Sequence, residues 1–146
     1  MERKLIIRNF GAIASADIAL KDFNIFIGEQ GAGKSTVAKL ITIFENSRDK
    51  VLKVDSDYLM TKFSEYNIIS YFNPDSYISY SSEQGDITYE DGSFNFTFSY
   101  HSTSHNLYIP AERFFISTFS RSIATLVLSK APIPVTLLEF ASFYEK

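Results

Sequence analysis

The sequence predicts a mixed α/β fold, and three segments of the chain carry that prediction. An apolar, β-prone run at residues 23–27 leads into a glycine-rich stretch, and apolar residues at helical spacing follow it. Further along, residues 94–100 alternate aromatic and polar side chains, as a half-buried strand does. A strand, a glycine-rich turn and a helix in succession indicate α/β architecture, and the alternating segment adds antiparallel β-structure.

Length and composition narrow the classes of protein that the chain can belong to. Its 146 residues are enough for one domain with its own core, and we expect a single domain over residues 1–146. The net charge of -3 argues against nucleic-acid binding by charge alone. The absence of cysteine excludes disulfides, thiol catalysis and Cys-based metal sites. Since no apolar run is long enough for a signal peptide or a bilayer span, we expect a cytoplasmic protein.

The first half of the chain is predicted to form three short strands followed by two helices. Three strands are predicted before the glycine-rich turn, at residues 4–10, 16–20 and 23–27. The turn is followed by apolar residues at three- and four-residue steps, which predict an amphipathic helix. A second helix is predicted over residues 51–71, and Pro74 then interrupts the pattern.

The second half is predicted to be richer in β-structure, chiefly within residues 75–109. A small antiparallel meander is predicted over residues 77–100, with Asp91 and Gly92 at a tight hairpin turn, because this pair readily adopts the positive φ angles required there. The remaining predicted elements are one short strand and two helices, at 106–109, 114–130 and 135–144.

The glycine-rich stretch matches the pattern G-x-x-x-x-G-K-[ST] at every position from Gly28 to Ser35. Glycines let the backbone turn so that successive N–H groups point at an anion, and the following helix adds its positive N-terminal end. Lys34 would then reach the β- and γ-phosphates, the Ser35 hydroxyl would ligate Mg²⁺, and Thr36 would contact the α-phosphate. Such a pattern also occurs by chance, but here a strand enters the loop and an amphipathic helix leaves it.

The sequence therefore predicts a Walker A loop, or P-loop, that binds ATP and Mg²⁺. The predicted nucleotide-binding residues are Gly28, Glu29, Gln30, Gly31, Ala32, Gly33, Lys34, Ser35 and Thr36, with Ser35 also the predicted magnesium ligand.

The segments before the P-loop resemble the start of an SMC/RecF-like ABC ATPase. These segments are residues 4–10, 16–20 and 26–29, and they are more narrowly similar to the bacterial AAA-type ATP-binding proteins near the OLD family. Residues 108–113 resemble a further segment of that group. The resemblance implies a P-loop NTPase fold, here as an N-terminal lobe with an antiparallel β meander. It also implies that ATP clamps two protomers together, on a nucleic acid or with an attached nuclease effector.

Several motifs of that group are missing from this chain. Gln30 stands where SMC proteins usually carry Asn, and the Walker B Asp-Glu pair, the Ser-Gly-Gly signature and the switch histidine are not found. The nearest imitation of Walker B, at residues 135–139, lacks the acidic pair and fits a helix better. We therefore expect an incomplete nucleotide-binding domain, the N-terminal portion of a longer ATPase or a natural truncation. Such a chain would self-associate or need its missing half, and would not hydrolyse ATP alone.

Four further residues are candidates because of the same resemblance. Glu112 and Arg113 would lie near the γ-phosphate as catalytic candidates, or else form the start of a helix and a surface ion pair. Asn9 and Phe10 would lie beside the adenine or ribose, although Phe10 suits the core equally well.

Two other functions remain open. A small-molecule or nucleotide kinase also uses a P-loop, and Asp55 and Asp57 could imitate its acidic substrate site. Against this, kinases usually open with the P-loop strand, whereas two predicted strands precede it here. A module that binds nucleotide without hydrolysing it is the other alternative. A GTPase is disfavoured because no Asn-Lys-x-Asp motif occurs.

Overall fold

The computed structural model divides the chain into two compact units, Met1–Asn106 and Leu107–Lys146. It describes four stretches, residues 3–47, 55–98, 106–109 and 133–144. In the second unit, the predicted helix over 135–144 is confirmed as Val135–Tyr144 (α3). The predicted helix over 114–130 lies outside the described residues.

The first unit is built on a five-stranded sheet in which every neighbouring pair is antiparallel. Its strands are β1 (Arg3–Phe10), β2 (Ile13–Leu20), β3 (Tyr77–Ser82), β4 (Gly85–Glu90) and β5 (Ser93–Phe98). Their order across the sheet is β2-β1-β3-β4-β5, so β1 lies inside the sheet while β2 and β5 form its edges.

Strand β1 shows why one face of the sheet forms the core. Leu5 and Ile7 are fully buried, and their partners across the ladder to β3, Tyr80 and Ile78, are fully buried as well. Because side chains alternate along a strand, one face carries these large apolar groups and the other carries more polar ones. The β4–β5 turn has φ angles of 50° at Asp91 and 78° at Gly92, the left-handed geometry predicted for that hairpin.

Two helices belong to this unit, α1 (Lys34–Asn46) and α2 (Ser56–Glu65). The Phe44 ring of α1 lies 5.7 Å from the Tyr80 ring and 6.1 Å from the Phe63 ring of α2, measured between centroids. Aromatic rings from α1, α2 and the sheet therefore pack together in the core of the unit.

A buried carboxylate joins the last turn of α1 to the sheet. Glu45 is 8% exposed, accepts a hydrogen bond from the Tyr80 hydroxyl, and has an oxygen 3.5 Å from Arg3 Nη1. An acidic group at the C-terminal end of a helix is disfavoured by the helix dipole, and burial adds a desolvation cost. The hydroxyl of β3 and the guanidinium of β1 offset these costs.

The predicted helix over 51–71 proved to be too long. Residues 51–54 lie outside the described part, α2 ends at Glu65, and a short 3-10 turn follows at Ile69–Tyr71. Asn67 has a φ of 54°, and a left-handed residue cannot continue a right-handed helix.

Two predicted strands are absent from the structure. Residues 23–27 form no strand, and their apolar side chains face solvent, with Phe23 80% and Ile27 92% exposed. A strand requires a neighbour for its backbone groups, and none of the described strands pairs with this segment. Residues 106–109 also form no strand; the Asn106 backbone instead exchanges two 2.7 Å hydrogen bonds with the Asn46 side chain.

Candidate functional site

The predicted P-loop runs directly into the N-terminus of α1. Gly31 and Gly33 have φ angles of 82° and 85°. Gly33 is the N-cap of α1 and, as a glycine, has no side chain to bond the first N–H groups of the helix. The first turn also carries no acidic residue. These N–H groups and the positive end of the helix dipole are therefore available to an anion.

The side chain of Lys34 folds back over the loop. Its Nζ donates hydrogen bonds to the carbonyl oxygens of Gly28, at 2.7 Å, and Glu29, at 2.5 Å. Both bonds are solvent-exposed, so the ammonium group can leave them without crossing packed structure. The donor in both bonds is already charged, and a phosphate oxygen would add a negative charge on the acceptor, which makes the bond stronger than one to a neutral carbonyl.

The two hydroxyl residues after Lys34 lie in different environments. Ser35 is exposed in the first turn of α1, whereas Thr36 is only 5% exposed. Of these two hydroxyls, that of Ser35 is the one open to a metal ion in solution. The predicted contact of Thr36 with an α-phosphate would have to be made from a largely buried position.

Gly33 is required at its position for two reasons. A Cβ added there would lie 2.5 Å from Ile13 Cγ1, and the φ of 85° is one that other residues rarely adopt. Gly31 has a similar φ but no atom within 4 Å of an added Cβ. The end of the loop is thus packed tightly against β2, while its middle is open.

A groove of about 330 Å³ lies between the P-loop and β2. This volume is in the range of about 300–1,000 Å³ found for small-molecule sites. The lining residues are Ala12, Ile13, Ala14, Ser15, Ala16, Ile18, Phe26, Ile27, Ala32, Gly33, Lys34 and Val37. Since Gly33 and Lys34 form part of the wall, a ligand held by the loop can extend into this groove.

Phe10, expected beside an adenine or ribose, is instead a core residue. It is fully buried, and its ring centroid lies 4.9 Å from that of Phe72 and 5.9 Å from that of Phe63. The groove begins two residues later, at Ala12, and small residues of β2 form much of its wall. Nothing in the pattern of the sequence singled out those small residues, whose role depends on the position of β2.

Of the other candidates, Asn9 is not part of the groove lining. The Asn9 side chain donates a 3.3 Å bond to the carbonyl oxygen of Asp75. Glu112 and Arg113 lie outside the described residues.

A match to a known protein family covers the part of the chain that contains this site. A family model described as "AAA ATPase domain" matches residues 1–128, which include the P-loop, both helices and all five strands of the first unit. The chain belongs to the AAA ATPase domain family. Membership implies the use of a nucleotide together with Mg²⁺. No curated protein and no solved structure matches the chain.

The donor set of this AAA ATPase domain suits Mg²⁺ that arrives with phosphates. Among the described residues, no three His, Cys, Asp or Glu side chains come together to hold a metal ion. Mg²⁺ commonly keeps several waters and takes few protein ligands beside phosphate oxygens, so one hydroxyl such as that of Ser35 fits this mode. Within the same residues, no helix combines the length and apolar character needed to cross a bilayer.

Proposed function

We propose that this AAA ATPase domain binds ATP with Mg²⁺ through the P-loop at residues 28–35. The observation that supports the proposal most is the start of α1, where a left-handed Gly33 caps the helix without a side-chain bond. The N–H groups of the first turn are left for phosphate oxygens, and the Lys34 ammonium already lies across the loop. Backbone donors and one cation thus converge as a polyphosphate requires.

Each residue of the loop has a distinct task in this proposal. Lys34 exchanges its two carbonyl partners for oxygens of the β- and γ-phosphates, and Ser35 offers its hydroxyl to Mg²⁺. The glycines keep the backbone close to the phosphates, and the groove beside β2 takes the nucleoside. Magnesium, when bound, neutralises phosphate charge; the chain itself binds and orients the nucleotide.

We further propose that the domain is the N-terminal part of an SMC/RecF-like ATPase, completed by a strand from a second protomer or from a further part of the protein. The segment at residues 23–27 supports this, because its apolar side chains are exposed and none of the described strands pairs with its backbone, so a neighbouring strand could cover both. A second protomer or a further part of the protein would supply the cover. Walker B acids supplied in the same way would permit hydrolysis, with a nucleic acid or a nuclease effector as the partner of the complete ATPase.

A small-molecule kinase is the second candidate function, and the structure gives Asp55 a different role. Asp55 is the N-cap of α2, and its carboxylate accepts a 2.9 Å hydrogen bond from the Tyr58 N–H. This is the usual task of an Asp at that position, and it explains the residue without a substrate. A module that binds nucleotide without hydrolysis remains compatible with the same P-loop.

Equilibrium binding of MgATP, by calorimetry, tests the proposal. We expect Lys34→Ala to weaken binding by about 10- to 100-fold, because a hydrogen bond to a charged group is lost. Lys4→Ala, which removes an exposed lysine of β1, is the matched control and should keep the wild-type affinity. Equal affinity in the Lys34 variant would contradict binding through the P-loop, and transfer of phosphate to a small acceptor would establish the kinase instead.

A further inference from the structure

The turn between β1 and β2 has an unusual backbone. We call residues 9–13 the elbow. Asn9 and Gly11 have φ angles of 49° and 57°, both in the left-handed region, and Phe10 between them points into the core. A non-glycine residue with positive φ costs free energy and persists only where its surroundings hold it. Contacts with other parts of the chain must therefore hold the elbow in this conformation.

The chain just before β3 provides those contacts. The carbonyl oxygen of Asn9 accepts two 2.6 Å hydrogen bonds, from Asn73 Nδ2 and from Ser76 Oγ. The N–H of Gly11 donates to the Tyr71 carbonyl oxygen at 3.1 Å, and a Cβ on Gly11 would lie 2.6 Å from the Tyr71 ring. The elbow is thus bonded and packed against this segment at both of its left-handed residues.

The other end of the elbow contacts the P-loop. Ile13 is 7% exposed, and its Cγ1 and Cδ1 would lie 2.5 and 3.0 Å from a Cβ on Gly33. The carbonyl oxygen of Gly33 accepts the 3.0 Å bond from Val37 N–H that begins α1. The Ile13 side chain therefore packs directly on the residue where the loop becomes the helix.

We infer that the elbow braces the P-loop, and that Ile13 is a positioning residue for phosphate binding. Asn73 and Ser76 fix Asn9, the elbow fixes Ile13, and Ile13 limits where Gly33 can lie. The N–H groups that follow Gly33 are the ones assigned above to the phosphates, so the inference deepens the proposed function and rests on it. Interior packing transmits such displacements because it leaves little free space.

Two pairs of variants test the brace. Ile13→Ala removes the side chain from Gly33, and Ile13→Val keeps most of it. Asn73→Asp removes the donor to Asn9 but keeps the oxygen that accepts the 3.0 Å bond from Asp75 N–H. Its control is Asn95→Asp, an exposed position on β5, at the opposite edge of the sheet from β2.

The readouts are MgATP affinity and the amide ¹H–¹⁵N chemical shifts of the P-loop without nucleotide. Both readouts are recorded for those variants that circular dichroism shows to be folded. We expect Ile13→Ala to weaken MgATP binding by about 3- to 30-fold and Asn73→Asp by about 2- to 10-fold. Ile13→Val should bind MgATP with an affinity within about twofold of that of the wild type. Both Ile13→Ala and Asn73→Asp should shift the Gly31 and Gly33 amide signals.

Two results would overturn the inference. One is a folded Ile13→Ala protein with wild-type affinity and unshifted Gly31 and Gly33 signals. The other is an Asn73→Asp protein whose P-loop signals move no more than those of Asn95→Asp. If the wild-type protein bound no MgATP, the proposed function would fail, yet the shifts in the nucleotide-free protein would still decide whether the brace exists.

Discussion

The elbow and the stretch from residue 23 to residue 32 lie close together in the sequence and differ in how their backbone is held. In the elbow, side chains from the chain before β3 satisfy the backbone and an aromatic ring anchors the turn. Residues 23–32 are exposed throughout, and a Cβ on Gly31 would touch nothing within 4 Å. The difference suggests a division of labour, in which a rigid turn supports a loop whose own groups are left for ligands and partners.

The largest contrast is expected between two phenylalanines. Phe10→Ala should lower the free energy of unfolding by about 3–5 kcal/mol, because it empties a fully buried site. Phe23→Ala should change it by no more than about 0.5 kcal/mol, since that ring is 80% exposed. Urea denaturation measures both values. A large loss of stability in the Phe23 variant would show that residues 23–27 are packed in solution, and would contradict the contrast with Phe10.

Two glycines, one in the elbow and one in the exposed loop, allow the same comparison with a smaller expected effect on stability. Gly11→Ala and Gly31→Ala both place a Cβ at positive φ, which costs about 1–2 kcal/mol. Only the Gly11 variant also meets a neighbour, the Tyr71 ring at 2.6 Å, and overpacking adds about 1–3 kcal/mol. Denaturation curves should therefore rank Gly11→Ala as clearly less stable. Equal losses would mean that the elbow can shift away from Tyr71.

The smallest expected effect concerns the choice of nucleotide. In the described lining of the groove, Ser15 and Lys34 are the polar side chains, and no carboxylate or amide side chain is present to distinguish adenine from guanine. Apolar walls discriminate weakly between ligands of similar shape, so MgATP and MgGTP should differ in affinity by at most about tenfold. Competition binding measures the ratio. A preference of a hundredfold or more would mean that other groups recognise the base.

Sequence reasoning succeeded where the local signal was complete. The run from Lys4 to Phe10 predicted β1, and the spacing of apolar residues after Ser35 predicted α1. In each case the periodicity of residues within the segment was enough to identify the element. The hairpin at Asp91 and Gly92 also followed from the residue pair alone.

It failed where the outcome depended on distant residues. Residues 23–27 have the composition of a strand, but composition cannot supply the neighbouring strand that β-structure requires. The left-handed Asn9 depends on Asn73 and Ser76, more than sixty positions away, and no local pattern indicates them. The groove was missed for the same reason, because its small residues on β2 acquire meaning only beside the P-loop.

The buried link from Glu45 to Tyr80 and Arg3 constrains how α1 can move. A helix of 13 residues is about 20 Å long, and this link fastens the end opposite the P-loop. A rod fixed at one end can swing but cannot slide. Any rearrangement of the phosphate-binding end would therefore be a tilt about a pivot near Glu45, with displacements that grow along the helix and are greatest at Lys34.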